Sequence, residues 1–355
     1  MRRLLLVGAG HAHLALLAAF AREPVRGLRI TLVSPLERQI YSAMLPGVIA
    51  GHYRREDAEI DVAGLAERAY VEFKAGAVAR FDARDRKVVL QDGGELPYDI
   101  ASFNVGSRIE ATLPGASYAT PVKPFEGLLA RLQEGVFRRV AIVGGGAGGA
   151  EIAMALRFRG AAVTLYSAEA MSPPSLAWRV EAVLRSSGVD FRPGMPASAI
   201  EPSPAIRAGP SVQEFDLVLL ATGATPLPWL KSSGLERDDR GFVLVRETLQ
   251  STSHPEVFAA GDCASLRGAA LPKSGVYAVR QGAALAETFR NLAQGEPPAP
   301  YRPRKRALLL LSCGRRYAIA QFGNRTAQGA WVWRWKNRID RRWLRQLLGD
   351  PREQK

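Results

Sequence analysis

Two glycine-rich turns, one carboxylate at the end of a strand and one lysine are the residues whose types and spacing can do chemistry in this chain. The stronger turn reads Gly144-Gly145-Gly146-Ala147-Gly148-Gly149, followed by Ala150-Glu151. It supplies G-x-G-x-x-G. The first glycine permits a tight turn, the second lets backbone approach a pyrophosphate at a helix N-terminus, and the third allows close helix–strand packing. The other turn, Gly8-Ala9-Gly10-His11-Ala12-His13, keeps the first two glycines and puts His13 at the third, which implies a looser helix–strand contact. Thr252 to Cys263 reads as a strand ending in Gly261-Asp262, a carboxylate beside approachable backbone and suited to hold a sugar hydroxyl. Ala221-Thr222-Gly223 and a weaker counterpart, Asn104-Val105-Gly106, follow two further apolar runs.

The elements around these turns must be strands and helices in a fixed order. Leu4 to Val7 is a strand, the first turn comes next, then an Ala- and Leu-rich helix and a second strand, Leu28 to Val33. The pattern restarts with a strand at Arg139–Val143, a turn at Gly144–Gly149, a helix at Ala150–Phe158 and a strand at Ala162–Tyr166. Two dinucleotide folds in one α/β chain are implied. Between them, Lys87 to Leu90 and Gln91-Asp92-Gly93-Gly94 predict an inserted hairpin. Pro114 to Pro124 reads as an interdomain hinge, and Pro297 to Pro303 separates the body from a basic tail. The expected domains are 1–115 with 242–300, then 116–241, then a basic aromatic segment at 301–355.

Composition bounds the rest. The chain has 355 residues and a net charge of +14, but residues 301–355 hold 15 Lys or Arg against three acids, a net of +12. The body is nearly neutral, as suits an enzyme carrying a basic appendage, and nucleic acid is not an expected partner. No apolar run approaches the roughly 20 residues that span a bilayer. The opening Met1-Arg2-Arg3-Leu4-Leu5-Leu6 imitates a secretory leader, yet the glycine turn directly after it makes it a buried first strand. Two cysteines, Cys263 and Cys313, form neither a disulfide framework nor a zinc spacing, so no metal and a reducing cytoplasm are expected.

Taken together, the motifs resemble the pyridine nucleotide–disulfide oxidoreductase superfamily of two-dinucleotide-binding flavoproteins, which includes type-two NADH dehydrogenases and sulfide:quinone reductases. The resemblance covers roughly residues 1 to 295 and implies a glutathione-reductase-like fold. It implies FAD as cofactor and NADH or NADPH as co-substrate, with hydride passing from nicotinamide to flavin and electrons then passing to a quinone or small oxidant. By it, Gly8, Gly10 and the first helix cradle the FAD pyrophosphate, Asp262 holds the ribityl or pyrophosphate portion, and Gly144, Gly146 and Gly149 receive NAD(P)H. The further cofactor-contacting candidates are His11, Ala12, Ser34, Gly106, Gly223 and Gly261. Pro46, in Met44-Leu45-Pro46-Gly47, and Lys273 are candidate flavin neighbours, and Glu151 is a candidate for the nicotinamide side. His11-Ala12-His13, Tyr41 to Gly47 and Pro272 to Gly282 also look like the flavoprotein module found fused to selenophosphate synthetase; the synthetase part is absent here.

Three departures qualify the pattern. Ser34 and Ser167 stand where an acid would bind ribose hydroxyls, the nearest acids being Glu37 and Glu169. No Arg follows Ser167 closely, which favours NADH over NADPH. The redox C-x-x-x-x-C is missing, so a dithiol relay is not expected; Cys263 and Cys313 read as unrelated buried thiols. For other residues a bland reading stands beside the functional one: His11 and His13 as packing or capping groups, Glu151 as a first-turn helix acid, Lys273 as a surface lysine.

In the tail, Val332, Trp335, Ile339, Trp343 and Leu347 share one helical face, with Arg334, Lys336, Arg338, Arg341, Arg342 and Arg345 around the remainder. Such a helix at 331–348 either lies on an anionic membrane, at the inner face, or packs its aromatic stripe on the body. The chain is then an NAD(P)H dehydrogenase or, in the rival reading, an FAD-binding redox partner or sensor, with a tie to selenium metabolism by fusion alone. A homodimer is left open.

Overall fold

Runs of Leu, Val and Ile buried on both faces become parallel strands, and each glycine turn releases the chain into a helix that returns across the sheet. The computed structural model describes residues 1–109, 112–171, 173–304 and 306–349. The chain runs β1 (Arg2–Val7), α1 (His11–Arg22), β2 (Leu28–Ser34), α2 (Leu45–Ile49), β3 (Glu72–Ala75) and β4 (Ile100–Phe103). It continues through β5 (Thr120–Pro121), β6 (Arg139–Val143), α3 (Ala147–Phe158), β7 (Ala162–Ser167), β8 (Asp190–Pro193) and β9 (Leu217–Leu220). Last come β10 (Val257–Ala259), α4 (Gly275–Gln294), β11 (Leu308–Ser312), β12 (Ala318–Phe322), β13 (Arg325–Gly329) and α5 (Ala330–Leu348).

Two five-stranded parallel sheets result, in the orders β10-β4-β1-β2-β3 and β5-β9-β6-β7-β8. In each, the first glycine turn leaves the central strand at the point where strand order reverses, the crevice in which open α/β sheets take ligands. Val7 pairs with Phe103 and Val143 with Leu220, so register alone sets Gly8–Gly10 beside Asn104 and Gly144–Gly146 beside Ala221. The hairpin expected around Gln91–Gly94 is present as Lys87–Leu90 paired antiparallel with Glu95–Pro97, in a three-stranded insert.

Three local readings change. α3 begins at Ala147, not Ala150, because Gly146 is the extended cap and Gly148 and Gly149 are helical. The run expected to be one strand up to Cys263 is a strand only over Val257–Ala259, and Gly261–Cys263 is a 3-10 turn. The tail is more than a helix: β11, β12 and β13 form an antiparallel sheet that leads into α5.

The buried face of α5 is Val332, Lys336, Asp340, Leu344 and Leu347. It shares only Val332 and Leu347 with the face expected from hydrophobic spacing. Trp331, Trp335 and Ile339 are exposed instead, and Lys336, read as part of the cationic face, is 5% exposed. Its ammonium donates to Asp340 Oδ2 at 2.6 Å and to the Ala43 carbonyl at 2.6 Å, so the charge is compensated inside the protein.

Candidate functional site

The first glycine turn is organised by Asn104, which stands just past β4. Its Oδ1 accepts the N–H groups of Ala12 at 2.8 Å and His13 at 3.1 Å, its Nδ2 donates to Ala260 O at 2.7 Å, and its carbonyl accepts Gly10 N–H at 3.0 Å. One side chain thereby ties α1, β4 and β10 into a single rim. A Cβ on Gly8 or Gly10 would strike Asn104 within 2.7 Å, so these glycines are required by protein packing. The Ala12 N–H, in a buried residue, is already spent on Asn104.

His13, at the third glycine position, fills the helix–strand gap as a wholly buried ring. It is hydrogen-bonded to Gly8 O at 2.6 Å and Ser102 Oγ at 2.8 Å, and burial drives its pKa down to about 4. His11 lies against the Tyr41 ring and within 3.3 Å of Ser42 Oγ; burial lowers its pKa as well. Ser34 is buried at the end of β2, with its hydroxyl turned to the backbone of Leu36.

Beside this rim, Gly106 faces open space, with nothing within 4 Å of where a Cβ would sit, and its φ of +70° suits glycine. Asp262 accepts from Ser107 Oγ at 3.1 Å and from Lys123 Nζ at 3.0 Å, so its carboxylate is aimed and charge-balanced. Lys123 reaches it from the Pro-rich stretch, a role that no motif announces; its sole sequence signal is a lone cation in that hinge. Gly261 N–H donates to Gln281 Oε1 at 2.7 Å, fixing the backbone before Asp262. Lys273 stands 3.9 Å from the Phe242 ring centre, donates to the Ala264 carbonyl and is lowered in pKa by burial. Pro46 is buried within α2.

The second turn is more open. A Cβ would meet nothing within 4 Å at Gly146, Gly148 or Gly223, whereas at Gly149 it would sit 1.9 Å from Gly144 O. Gly149 therefore serves helix–strand packing and Gly146 forms an open cradle. Thr222 Oγ1, buried on the facing strand end, has no hydrogen-bond partner among the described residues. That unsatisfied hydroxyl and the cradle fit a dinucleotide. Ser167 does not reach outward, because its hydroxyl donates to Glu169 O at 2.6 Å.

Glu151, one turn into α3, faces the C-terminal segment. It accepts Ser312 N–H at 2.7 Å, and burial raises its pKa to about 7 against the opposing pull of Lys336 and that hydrogen bond. A carboxyl with a raised folded pKa binds more protons folded than unfolded, so stability is lost as pH rises from 4.5 towards 7. The loss expected from this group is about 3 kcal/mol. Denaturant titrations across that range should show it in the wild type, and Glu151→Gln should flatten it.

Cys263 and Cys313 are both buried free thiols, with pKa values pushed by burial to about 11 and about 12. Neither is poised as a thiolate. Replacing both by serine should leave NAD(P)H-driven turnover within about threefold; a collapse of electron delivery alone would instead reveal a thiol relay.

The model of the family described as "Pyridine nucleotide-disulphide oxidoreductase" matches residues 2–282. The chain belongs to this family. It is a flavin-dependent NAD(P)H oxidoreductase that uses FAD with NAD(P)H as co-substrate. The nitric oxide reductase FlRd-NAD(+) reductase of Salmonella gallinarum is 30% identical over 300 residues, 76% of this chain and 74% of that protein. Its namesake in Aeromonas hydrophila is 31% identical over 202 residues, 53% of this chain and 51% of that one. The chain thus spans about half of one relative and three-quarters of the other. The sulfide:quinone oxidoreductase of Aquifex aeolicus has the same fold, with a TM-score of 0.81 at 18% identity over 98% of this chain and 92% of that one.

Proposed function

We propose that this chain is an NADH-preferring dehydrogenase that delivers electrons to a quinone at an anionic membrane surface on the cytoplasmic side. The observation that carries the reading is α5. Its inner face is built into the body, while Trp331, Trp335, Ile339 and Leu348 stay exposed on a helix that also bears Arg334, Arg338, Arg341, Arg342 and Arg345. Indoles beside cations suit the headgroup region of an anionic bilayer. Among the described residues no helix is long and apolar enough to cross a membrane. The neighbour from Aquifex aeolicus, whose own acceptor is named as quinone, supports the same acceptor class.

In this reading residues 1–115 and 242–300 hold FAD, 116–241 hold the nicotinamide dinucleotide and 331–348 meet the membrane. FAD supplies a two-electron carrier that takes hydride from nicotinamide and passes electrons on. Asp262, set by Lys123 and Ser107, offers the carboxylate for its sugar-alcohol or pyrophosphate portion. Thr222, Gly223 and Gly146 receive the dinucleotide. No Arg follows Ser167 closely in sequence to pair with a 2′-phosphate, hence the preference for NADH.

The test uses vesicles of anionic lipid carrying quinone. Wild-type protein is expected to sediment with them at low salt, to be released by salt, and to oxidise NADH rapidly. Trp331→Glu with Trp335→Glu should leave the fold intact by circular dichroism and lower binding by at least about tenfold. Failure of the wild type to bind even at low salt removes the membrane reading. The rival, a redox partner or sensor tied to selenium chemistry, predicts reduction by NADH without rapid cycling to any quinone.

A further inference from the structure

The end of β7, where a dinucleotide fold ordinarily carries an acid for the ribose hydroxyls, holds a residue with nothing left to offer a ligand. Ser167 is 3% exposed. Its hydroxyl donates to the Glu169 carbonyl at 2.6 Å, and its own carbonyl accepts the Met195 N–H at 3.1 Å. A Cβ on Gly145, in the middle of the second glycine turn, would lie 2.1 Å from the Ser167 hydroxyl, so this serine packs against the turn itself.

The same hydroxyl brings the next acid to the rim. Because Ser167 Oγ touches both Gly145 and the Glu169 carbonyl, the backbone of Glu169 is held one hydroxyl away from the turn that forms the cradle. The Glu169 side chain is exposed between Ala168 and Ala170, and its carboxylate makes no hydrogen bond or ion pair among the described residues. Arg192, on the neighbouring strand β8, is taken by Asp190 Oδ2 at 2.7 Å and Gln213 Oε1 at 3.0 Å. The first unit repeats the design. Ser34 ends β2 buried, with its hydroxyl 3.4 Å from both the N–H and the carbonyl of Leu36, and the exposed acid Glu37 follows. In each unit a small buried hydroxyl stands in place of the strand-end acid and fixes a loop that presents an acid two or three residues later.

We propose that Glu169 is the specificity-determining residue for the nicotinamide dinucleotide, its carboxylate accepting the vicinal hydroxyls of the adenosine ribose and repelling the 2′-phosphate of NADPH; this rests on the NADH reading above. A carboxylate is acceptor-only and suits two neighbouring hydroxyl donors. Phosphorylation of one hydroxyl removes a donor and sets like charges side by side, so selection against NADPH has a repulsive element in addition to the lack of a nearby arginine. The buried Ser167 acts through the loop it fixes and makes no contact with the ribose.

Calorimetric titration of the oxidised, FAD-loaded enzyme with NAD+ and with NADP+ tests this without turnover. Wild type is expected to bind NAD+ at least about tenfold more tightly. Glu169→Gln keeps the size and one acceptor but loses the charge; it should weaken NAD+ about tenfold and strengthen NADP+, erasing the preference. Glu169→Asp should keep part of it, and Glu169→Arg should invert it. Raising the salt concentration should improve NADP+ binding to wild type relative to the glutamine variant, since only the wild type carries the repelling charge. In stopped-flow reduction by NADH, the loss in Glu169→Gln should fall on the concentration needed for half-maximal rate, not on the limiting rate, because the adenosine end is remote from the hydride. An unchanged NAD+ to NADP+ affinity ratio in the glutamine variant of a wild type that prefers NAD+ overturns the proposal and leaves the NADH reading standing. A wild type that binds NADP+ as tightly as NAD+ overturns the reading and the proposal with it.

Discussion

Replacing Gly146 by valine is expected to slow reduction by NAD(P)H by on the order of a hundredfold while FAD stays bound. Gly146 has φ −67° and ψ 176°, extended backbone that valine adopts readily, and no atom lies within 4 Å of its added Cβ. The substitution therefore costs the fold little and fills only the cradle where a pyrophosphate must approach. Gly149→Val is the contrasting control. Its Cβ would stand 1.9 Å from Gly144 O, so that variant should lose helix–strand packing and fold poorly. Stopped-flow absorbance of the flavin measures the first effect, and flavin released on denaturation measures FAD content. Equal loss of FAD and of reduction in Gly146→Val would show that the second rim does not hold the nicotinamide dinucleotide.

Asp340→Ala should destabilise the protein by about 3–5 kcal/mol, because it removes the carboxylate that holds the buried Lys336 ammonium at 2.6 Å. The pair is worth less than this loss implies. Most of the penalty belongs to the orphaned charge, so replacing both residues by Lys336→Met and Asp340→Leu should recover much of the stability. Urea unfolding of the three variants gives the comparison, and a loss below about 1 kcal/mol in Asp340→Ala would mean that water reaches the ammonium freely. The same comparison bears on the C-terminal segment as a whole. Val332, Leu344 and Leu347 are buried on the face that carries the ion pair, so removal of residues 331–355 is expected to expose core and to compromise folding. Surface substitutions at Trp331 and Trp335 are therefore the cleaner probe of membrane binding.

The two dinucleotide units were legible because their determinants are local. A glycine that must take positive φ, as Gly8 at +86° and Gly144 at +121° do, sits in a fixed place between an apolar run and a helix. Strand order then follows from short connections and right-handed crossovers, and the ends of β4 and β9 fall beside the turns without further instruction. Asp262 could be singled out because it ends such a strand region. What aims it could not, since Lys123 and Ser107 lie far from it in sequence and carry no motif.

Asn104 shows the same limit. Its carboxamide is one polar group at a strand end, and only the folded chain brings two N–H groups of α1 and the carbonyl of Ala260 to it. The face of α5 is where tertiary structure overruled sequence outright. Helical spacing sorts residues by hydrophobicity, which grouped Trp335 on one face with Val332 and Leu347 and set Lys336 among the cations of the opposite side. The fold reverses both, because Asp340 one turn away neutralises Lys336, and the Ala43 carbonyl satisfies a further donor. The indole of Trp335 is left outside on the face that the body does not cover. Burial of a charge depends on partners that a linear pattern does not contain, so the chain by itself determined its two dinucleotide-type folds and their glycine turns, and the tertiary structure alone decided that its C-terminal helix reaches Glu151.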